Sequence, residues 1–339
     1  MNFRHILAAA LLAAATISGA TAQAQTVFDD GMSVTYANAL KDKKVAFVPL
    51  AMSFDITEGW VAGMQKQADT MGYQLIIRDP NWNTSAGAQA ITQLIAEKPD
   101  VLIIHNPDLQ TYGRLIKKAM DAGINVVQVN LKSNMNSDAY IGADWYKIAE
   151  RQAQTLVKLC GKDSGKSGKV AIIQGIPTNA TSAIGVQAME AVFSQHPEIS
   201  VVANQAADFD PTKAHTIALT ILKQNPDLCG MIGIWDAEDV GVAAAIKEVG
   251  KTGQVALVSQ GAGAQSACDK VSSDDFTSYV AYDVAAQSRD INNVIAMLLQ
   301  TKPAPGSKNF ALYSPLKVID KANVHPDTCW TSDRIKRDN

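Results

Sequence analysis

A chain of 339 residues with 30 basic and 33 acidic side chains carries a formal net charge of −3. This mildly acidic balance, with no Lys/Arg cluster, argues against nucleic acid as a partner and against an electrostatic membrane patch. The length exceeds what one hydrophobic core usually supports, so two domains are expected.

Taken in chain order, MNFRH places Arg4 ahead of the apolar run ILAAALLAAATISGA, and Ala22-Gln23-Ala24 follows as a small-x-small cleavage signature. Residues 1–24 therefore read as a secretory signal peptide cleaved after Ala24, which directs export of the mature chain. The apolar run is too short to anchor the chain, and no later run approaches the ~20 apolar residues of a membrane span. Without this leader, which holds only Arg4, 29 basic residues face 33 acidic ones, a net charge of −4.

Short apolar runs then alternate with longer stretches of helical period, the pattern of a parallel sheet buried on both faces. The runs are KVAFVPL (44–50), YQLIIR (73–78), VLIIH (101–105), INVVQV (124–129), KVAIIQG (169–175), ISVVANQ (199–205), MIGIW (231–235) and QVALVS (254–259). Helical segments such as ITEGWVAGMQKQADTMG and SAGAQAITQLIAEKP lie between them. The series divides once, near residue 145, where YKIAERQAQTLVKLCG opens a second alternating set. Two α/β halves of similar build follow from this pattern. Near the end, TKPAPGSKN breaks a helix ahead of a last strand.

CGKDSGKSG (160–168) resembles a phosphate-cradling loop, yet Cys160 stands where its first Gly belongs. It also follows a helix and precedes a strand, the reverse of the order that would put its amides at a helix N-terminus. It reads as a solvated turn, with Gly161 as a helix C-cap. Cys160, Cys229, Cys268 and Cys329 make an even count in an exported chain. Two disulfides are expected, in one of three connectivities. The spacings show no CxxC and no Cys/His cluster, so neither a metal nor a cofactor is implied.

In an open α/β sheet, ligands sit beyond the carboxyl ends of the strands. Two residue types recur there. One is aromatic: Phe54, Trp82, Phe209, Trp235 and Tyr282. The other is a short side chain with paired hydrogen-bonding atoms: Asn83, Asn106, Asp108, Asn130, Asn179, Asp210, Asp236, Gln260 and Asp283. Rings cover the C–H faces of a sugar or polyol, and amides or carboxylates pair with its hydroxyls. Each short polar residue has a plainer reading as a helix cap or turn former. Trp60 and Trp145 read as packing residues, and Trp330 as a cover for a disulfide at Cys329. Catalysis finds little support, since no GxSxG elbow, HExxH or Cys/His pair occurs. Of the histidines only His105 ends a strand, and Asp236 with Glu238 reads first as helix capping.

The chain resembles the ribose- and galactose-type periplasmic binding proteins of bacterial ABC transporters over roughly residues 43–320. The stretches that carry the resemblance are GMQKQADTMGYQLIIRDPNWN, VLIIHNPD, AGINVVQV, QAADFDPTKA and IGIWDAEDVGVAAAI. It implies the type I fold, with two doubly wound parallel-sheet lobes joined by a three-strand hinge. The lobes would be 43–145 plus 283–312 and 146–282 plus 313–339. The family's sugar contacts fall on Phe54, Ile56 and Thr57 in the first-strand loop, on His105 or Asn106, and on Asn130 with Leu131. In the second lobe they fall on Phe209, Trp235 followed by Asp236, Gln260 and Tyr282, and Asn179 joins them as a strand-end amide. The Arg residues with which the family grips the ring are replaced by Leu131 and by Ala183 or Gly185, so the ligand is expected to be a neutral monosaccharide or polyol rather than ribose. The implied partners are that small molecule and the ABC permease subunits in the inner membrane, with the receptor a monomer that binds no nucleic acid. With every cysteine in the second lobe, the expected bridges are Cys229–Cys268 and Cys160–Cys329. Two rival readings remain: a secreted sugar-modifying enzyme using Asp236, Glu238 or His105, and a sensor that presents its closed form to a chemoreceptor or kinase.

Overall fold

The computed structural model describes residues 30–53, 55–331 and 333–335. The expected signal peptide and Phe54 lie outside them.

The first lobe opens with helix α1 (Met32–Leu40) and alternates β1 (Lys44–Val48), α2 (Asp55–Met71), β2 (Gln74–Ile77), α3 (Thr84–Glu97), β3 (Val101–Ile104), α4 (Gly113–Asp121), β4 (Asn125–Val129) and β5 (Ala139–Gly142). The second lobe follows with α5 (Trp145–Cys160), β6 (Lys169–Gln174), α6 (Ala180–Phe193), β7 (Ser200–Ala206), α7 (Pro211–Gln224), β8 (Gly230–Gly233), α8 (Asp236–Glu248), β9 (Ala256–Gly261), α9 (Gln265–Ser272) and β10 (Ser278–Tyr282). Helix α10 (Val284–Thr301) then packs on α2, and the short strands β11 (Phe310–Tyr313) and β12 (Leu316–Asp320) end the series.

Two six-stranded sheets result, ordered β11-β5-β4-β3-β1-β2 and β12-β10-β9-β8-β6-β7. Every pairing is parallel except β10 with β12. Central strands such as VLII and NVVQV are buried at every position, which is why they read as unbroken apolar runs rather than as alternation. In both sheets the strand order reverses beside the first strand of the lobe, between β1 and β3 and between β6 and β8. Such a switch point leaves a crevice beyond the carboxyl ends of the strands. The chain passes between lobes after β5, after β10 and between β11 and β12.

The eight expected runs all contain strands. Strand β5 lies outside those runs, because Tyr140 and Gly142 break up its apolar pattern. The false phosphate loop follows α5 and leads into β6, with Gly165 and Gly168 at φ 69° and 72°. Gly161 does cap α5, in an extended rather than a left-handed conformation.

The disulfides correct the expectation. Cys160 pairs with Cys229 and Cys268 with Cys329, in place of Cys229–Cys268 and Cys160–Cys329. Helix α5 packs across β8 and β9, bringing its last residue beside the start of β8, whereas α9 packs on β12 and the tail that follows it. Residence in one lobe does not select a partner; helix packing does.

That tail joins the lobes a further time. Trp330 is buried, its N–H donates to the Gly263 carbonyl, its Nε1 to Ala262, and its carbonyl accepts from Gln265. Trp330 and Ile335 nevertheless belong to the hydrophobic cluster of the first lobe, while Cys329 belongs to that of the second. A side chain at Gly59 in α2 would collide with Val284 of α10 and crowd Ile335 of the tail, so the close approach of these elements favours glycine there.

Candidate functional site

The strand ends of the two lobes face each other over a partly open cavity of about 60 Å³. From the first lobe come Leu50, Asp55 and Ile56 after β1, Trp82 after β2, His105 after β3, and Asn130 with Leu131 after β4. Trp145 and Tyr282 flank the interlobe crossings. The second lobe supplies Thr181, Phe209, Ile234, Trp235, Gln260 and Ala262.

Asn130 shows how the fold aims a polar group. Its φ is 56°, a left-handed conformation that Asn tolerates better than most residues. Its N–H donates to Ile141 at 2.7 Å, and its carbonyl accepts from the Tyr140 hydroxyl at 2.6 Å and Trp145 Nε1 at 2.9 Å. With the backbone thus fixed, the side-chain Oδ1 is buried with no hydrogen-bond partner. Gln260 repeats the arrangement from the other lobe: its Nε2 donates to the Ile234 carbonyl and its Oε1 is buried without a partner. Two residues that line one cavity thus each keep a buried acceptor unpartnered, a costly arrangement that a hydroxyl-bearing ligand would relieve.

His105 is fully buried, and desolvation pushes its imidazole down to about 3. It is neutral at physiological pH, with one ring nitrogen a donor and the other an acceptor. Its ring meets Trp60 edge-on at 5.2 Å, and Trp60 in turn donates to Gln287 at 2.9 Å.

Three rings close the cavity. Trp235 lies 6.4 Å from Trp82 of the opposite lobe and 5.7 Å, edge-on, from Phe209. Trp82 and Phe209 have φ of 65° and 63°, and each follows another left-handed residue, Asn81 or Asp208. Such backbone costs on the order of 1–2 kcal/mol per residue, and strain of this kind collects at functional sites. A Cβ at Gly175 would collide with the Phe209 ring, so the seat of this ring requires a glycine.

The lobes also touch directly. Asn179 Nδ2 donates to the Pro107 carbonyl at 2.9 Å, and the Leu109 N–H to Thr178 at 3.2 Å. The structure is that of a closed cleft.

Of the expected site residues, His105, Asn130, Phe209, Trp235, Gln260 and Tyr282 line the cavity together. Thr57 is buried within α2 away from it. Asn106 is spent on structure, donating to Gln128 and to the Leu131 carbonyl at 3.0 Å each. Asn179 caps α6 through Thr181 and faces the outer cleft. The Asp236 carboxylate is held by the Tyr279 hydroxyl at 2.7 Å and the Ala237 N–H at 2.9 Å. Desolvation pushes Asp236 up to about 7, the Tyr279 hydrogen bond opposes this, and the charge of Asp55 adds to it. Asn83, Asp210 and Asp283 are helix caps. Trp145 was missed because it follows the unrecognised β5, which made a strand-end ring look like helix packing. Trp82 carried the right signal, an aromatic after a strand. No Lys or Arg lines the cavity. Among the described residues, no three His, Cys, Asp or Glu side chains gather as metal ligands would.

Fold and cleft together define a two-lobed binding protein that encloses a small molecule. The chain belongs to the periplasmic binding protein domain family, whose model matches residues 45–303. It is 26% identical over 222 residues to the ribose import binding protein of Salmonella typhimurium, covering 63% of this chain and 71% of that protein. It is 26% identical over 245 residues to the D-ribose/D-allose-binding protein of Pseudomonas aeruginosa, 67% of this chain and 73% of the other. In structure it is similar to an ABC transporter solute-binding protein of Agrobacterium vitis bound with α-D-tagatopyranose, at a TM-score of 0.74, 23% identity and coverage of 85% and 98%. A glucose-galactose binding protein of Geobacillus stearothermophilus gives a TM-score of 0.74 at 21% identity, covering 84% of this chain and 99% of that one.

Proposed function

We propose that this chain is the solute receptor of an ABC importer, holding one neutral monosaccharide or polyol between its lobes and delivering it unchanged to a permease in the inner membrane. The observation that carries this reading is the pair of buried, unpartnered amide oxygens on Asn130 and Gln260, set among aromatic rings with no cation nearby. A carboxylate or phosphate ligand would find no counter-charge there. The named sugars of the relatives support the ligand class. In this reading the mature chain begins after Ala24, resides in the periplasm and acts as a monomer. The lobes 43–145 plus 283–312 and 146–282 plus 313–339 open and close about their crossings.

A thermal-shift panel of pentoses, hexoses, alditols, amino acids and organic acids tests it. A rise in Tm confined to one or a few neutral polyhydroxylated compounds supports the proposal, and a response only to an amino acid or an anion refutes it. NMR of the bound compound after prolonged incubation separates a receptor from an enzyme, since a receptor returns it unaltered.

A further inference from the structure

Beside the interlobe cavity, and sharing part of its lining, lies a larger space of about 500 Å³. The two spaces share Leu50, Trp82, Phe209 and Trp235, so the ring cluster is a partition with one side toward each. Trp82 is 48% exposed, a large apolar surface to leave in water. Its loop and the Phe209 loop come from opposite lobes and use one device: two successive positive-φ residues ending in an aromatic, at 48° and 65° in Asn81-Trp82 and 57° and 63° in Asp208-Phe209. Core packing does not call for a solvent-facing indole held in that conformation. Around the rings the outer space offers a polar fringe of Asn83, Thr84, Asn179 and Asp208, and no Lys or Arg.

We propose that this outer space is a second carbohydrate subsite, which takes the second, uncharged pyranose ring of a glycosylated ligand whose first unit fills the inner cavity. A pyranose has an apolar C–H face to lay on an indole and equatorial hydroxyls to meet a polar rim. An anionic second unit would meet the Asp208 carboxylate, which Lys213 already pairs, and would find no Lys or Arg of the lining to receive it. The inference rests on the cleft being a sugar or polyol site and extends the class of ligand from single units to disaccharides and glycosyl alditols.

Ligand-stripped protein is titrated calorimetrically with xylitol, sorbitol and D-allose, and with the glycosylated probes maltitol, lactitol and isomaltitol. At least one glycosylated probe is expected to bind tenfold or more tightly than the corresponding small compound. Ile176→Arg, at a half-exposed position on the outer wall, should abolish that advantage while the small compound keeps its affinity within about twofold. Trp82→Ala should weaken both but bring their ratio towards one, and Trp82→Phe should restore much of it. Small compounds binding while every glycosylated probe is excluded overturns this proposal and leaves the receptor reading intact, as does a Trp82→Ala loss of equal size for both. Binding of neither set, together with a thermal-shift response only to an amino acid or an anion, overturns both readings.

Discussion

Replacing Gln260 with Met isolates the claim that a buried amide oxygen awaits a ligand hydroxyl. The side chains are similar in length and volume, and Gln260 sits on a regular strand, so no backbone strain enters. Two opposing changes fall on the unliganded protein. It loses the hydrogen bond from Nε2 to the Ile234 carbonyl, worth about 1 kcal/mol, and it is relieved of an unpartnered Oε1, whose burial costs about 1–3 kcal/mol. The free protein should therefore melt within a few degrees of the wild type, on either side. The complex has no such offset. A ligand hydroxyl that donated to Oε1 is left facing a thioether, at a cost of about 1–3 kcal/mol, or roughly a 5- to 150-fold rise in Kd. Calorimetric titration of both proteins with the tightest compound of the sugar panel, beside melts of the stripped proteins, reads the two quantities separately. A Kd unchanged within twofold, in a variant as stable as the wild type, would show that this oxygen does not meet the ligand.

Three further outcomes are expected. Asn179→Asp keeps the acceptor that caps α6 but removes the Nδ2 donor to Pro107, a contact made only with the lobes closed; affinity should fall roughly fivefold with little change in unliganded Tm, the equivalent of about 1 kcal/mol. His105 has a folded pKa of about 3, below the ordinary 6.5, so the unfolded chain binds its proton first and the stabilisation, complete above pH 6.5, drains away as pH falls towards 3. Urea melts at pH 7 and pH 5 should show the wild type losing up to about 2 kcal/mol relative to His105→Gln, and equal losses would exclude the buried neutral imidazole. Peptide mapping without reductant should recover Cys160 linked to Cys229 and Cys268 to Cys329, and the double Cys160→Ser, Cys229→Ser variant should lose about 4 kcal/mol, the chain-entropy value for a loop of 69 residues.

Much of the architecture was legible because a strand buried on both faces has to be apolar throughout. KVAFV and VLII allow little else once helical segments lie between them. The edge strands β11 and β12 are half-exposed and carry no such run, and β5 is broken up by Tyr140 and Gly142, so their places depended on contacts distant in sequence. Within the site, rings after strands were a dependable sign, as Phe209, Trp235 and Tyr282 illustrate. Amides were less so. Asn106 and Asn130 both follow strands and both keep a buried side-chain oxygen without a partner, yet only Asn130 lines the cavity, while the Asn106 amide nitrogen is spent on Gln128 and Leu131. The difference is a positive φ and three backbone hydrogen bonds from residues 10 to 15 positions away, which composition and periodicity do not encode. The cysteine pairing was hidden for a related reason, since it follows from how α5 and α9 lie on their sheet.

The lodging of Trp330 and Ile335 against α2 and α10 bears on how the two lobes are tied together. These residues follow the last strand of both sheets, yet they fill the junction between the lobes. A variant cut before Cys329 would lose the Cys268–Cys329 bridge of the second lobe as well as that junction. Such a variant should be cut by protease near α9 and at the crossings sooner than the intact protein, whose lobes these residues tie together.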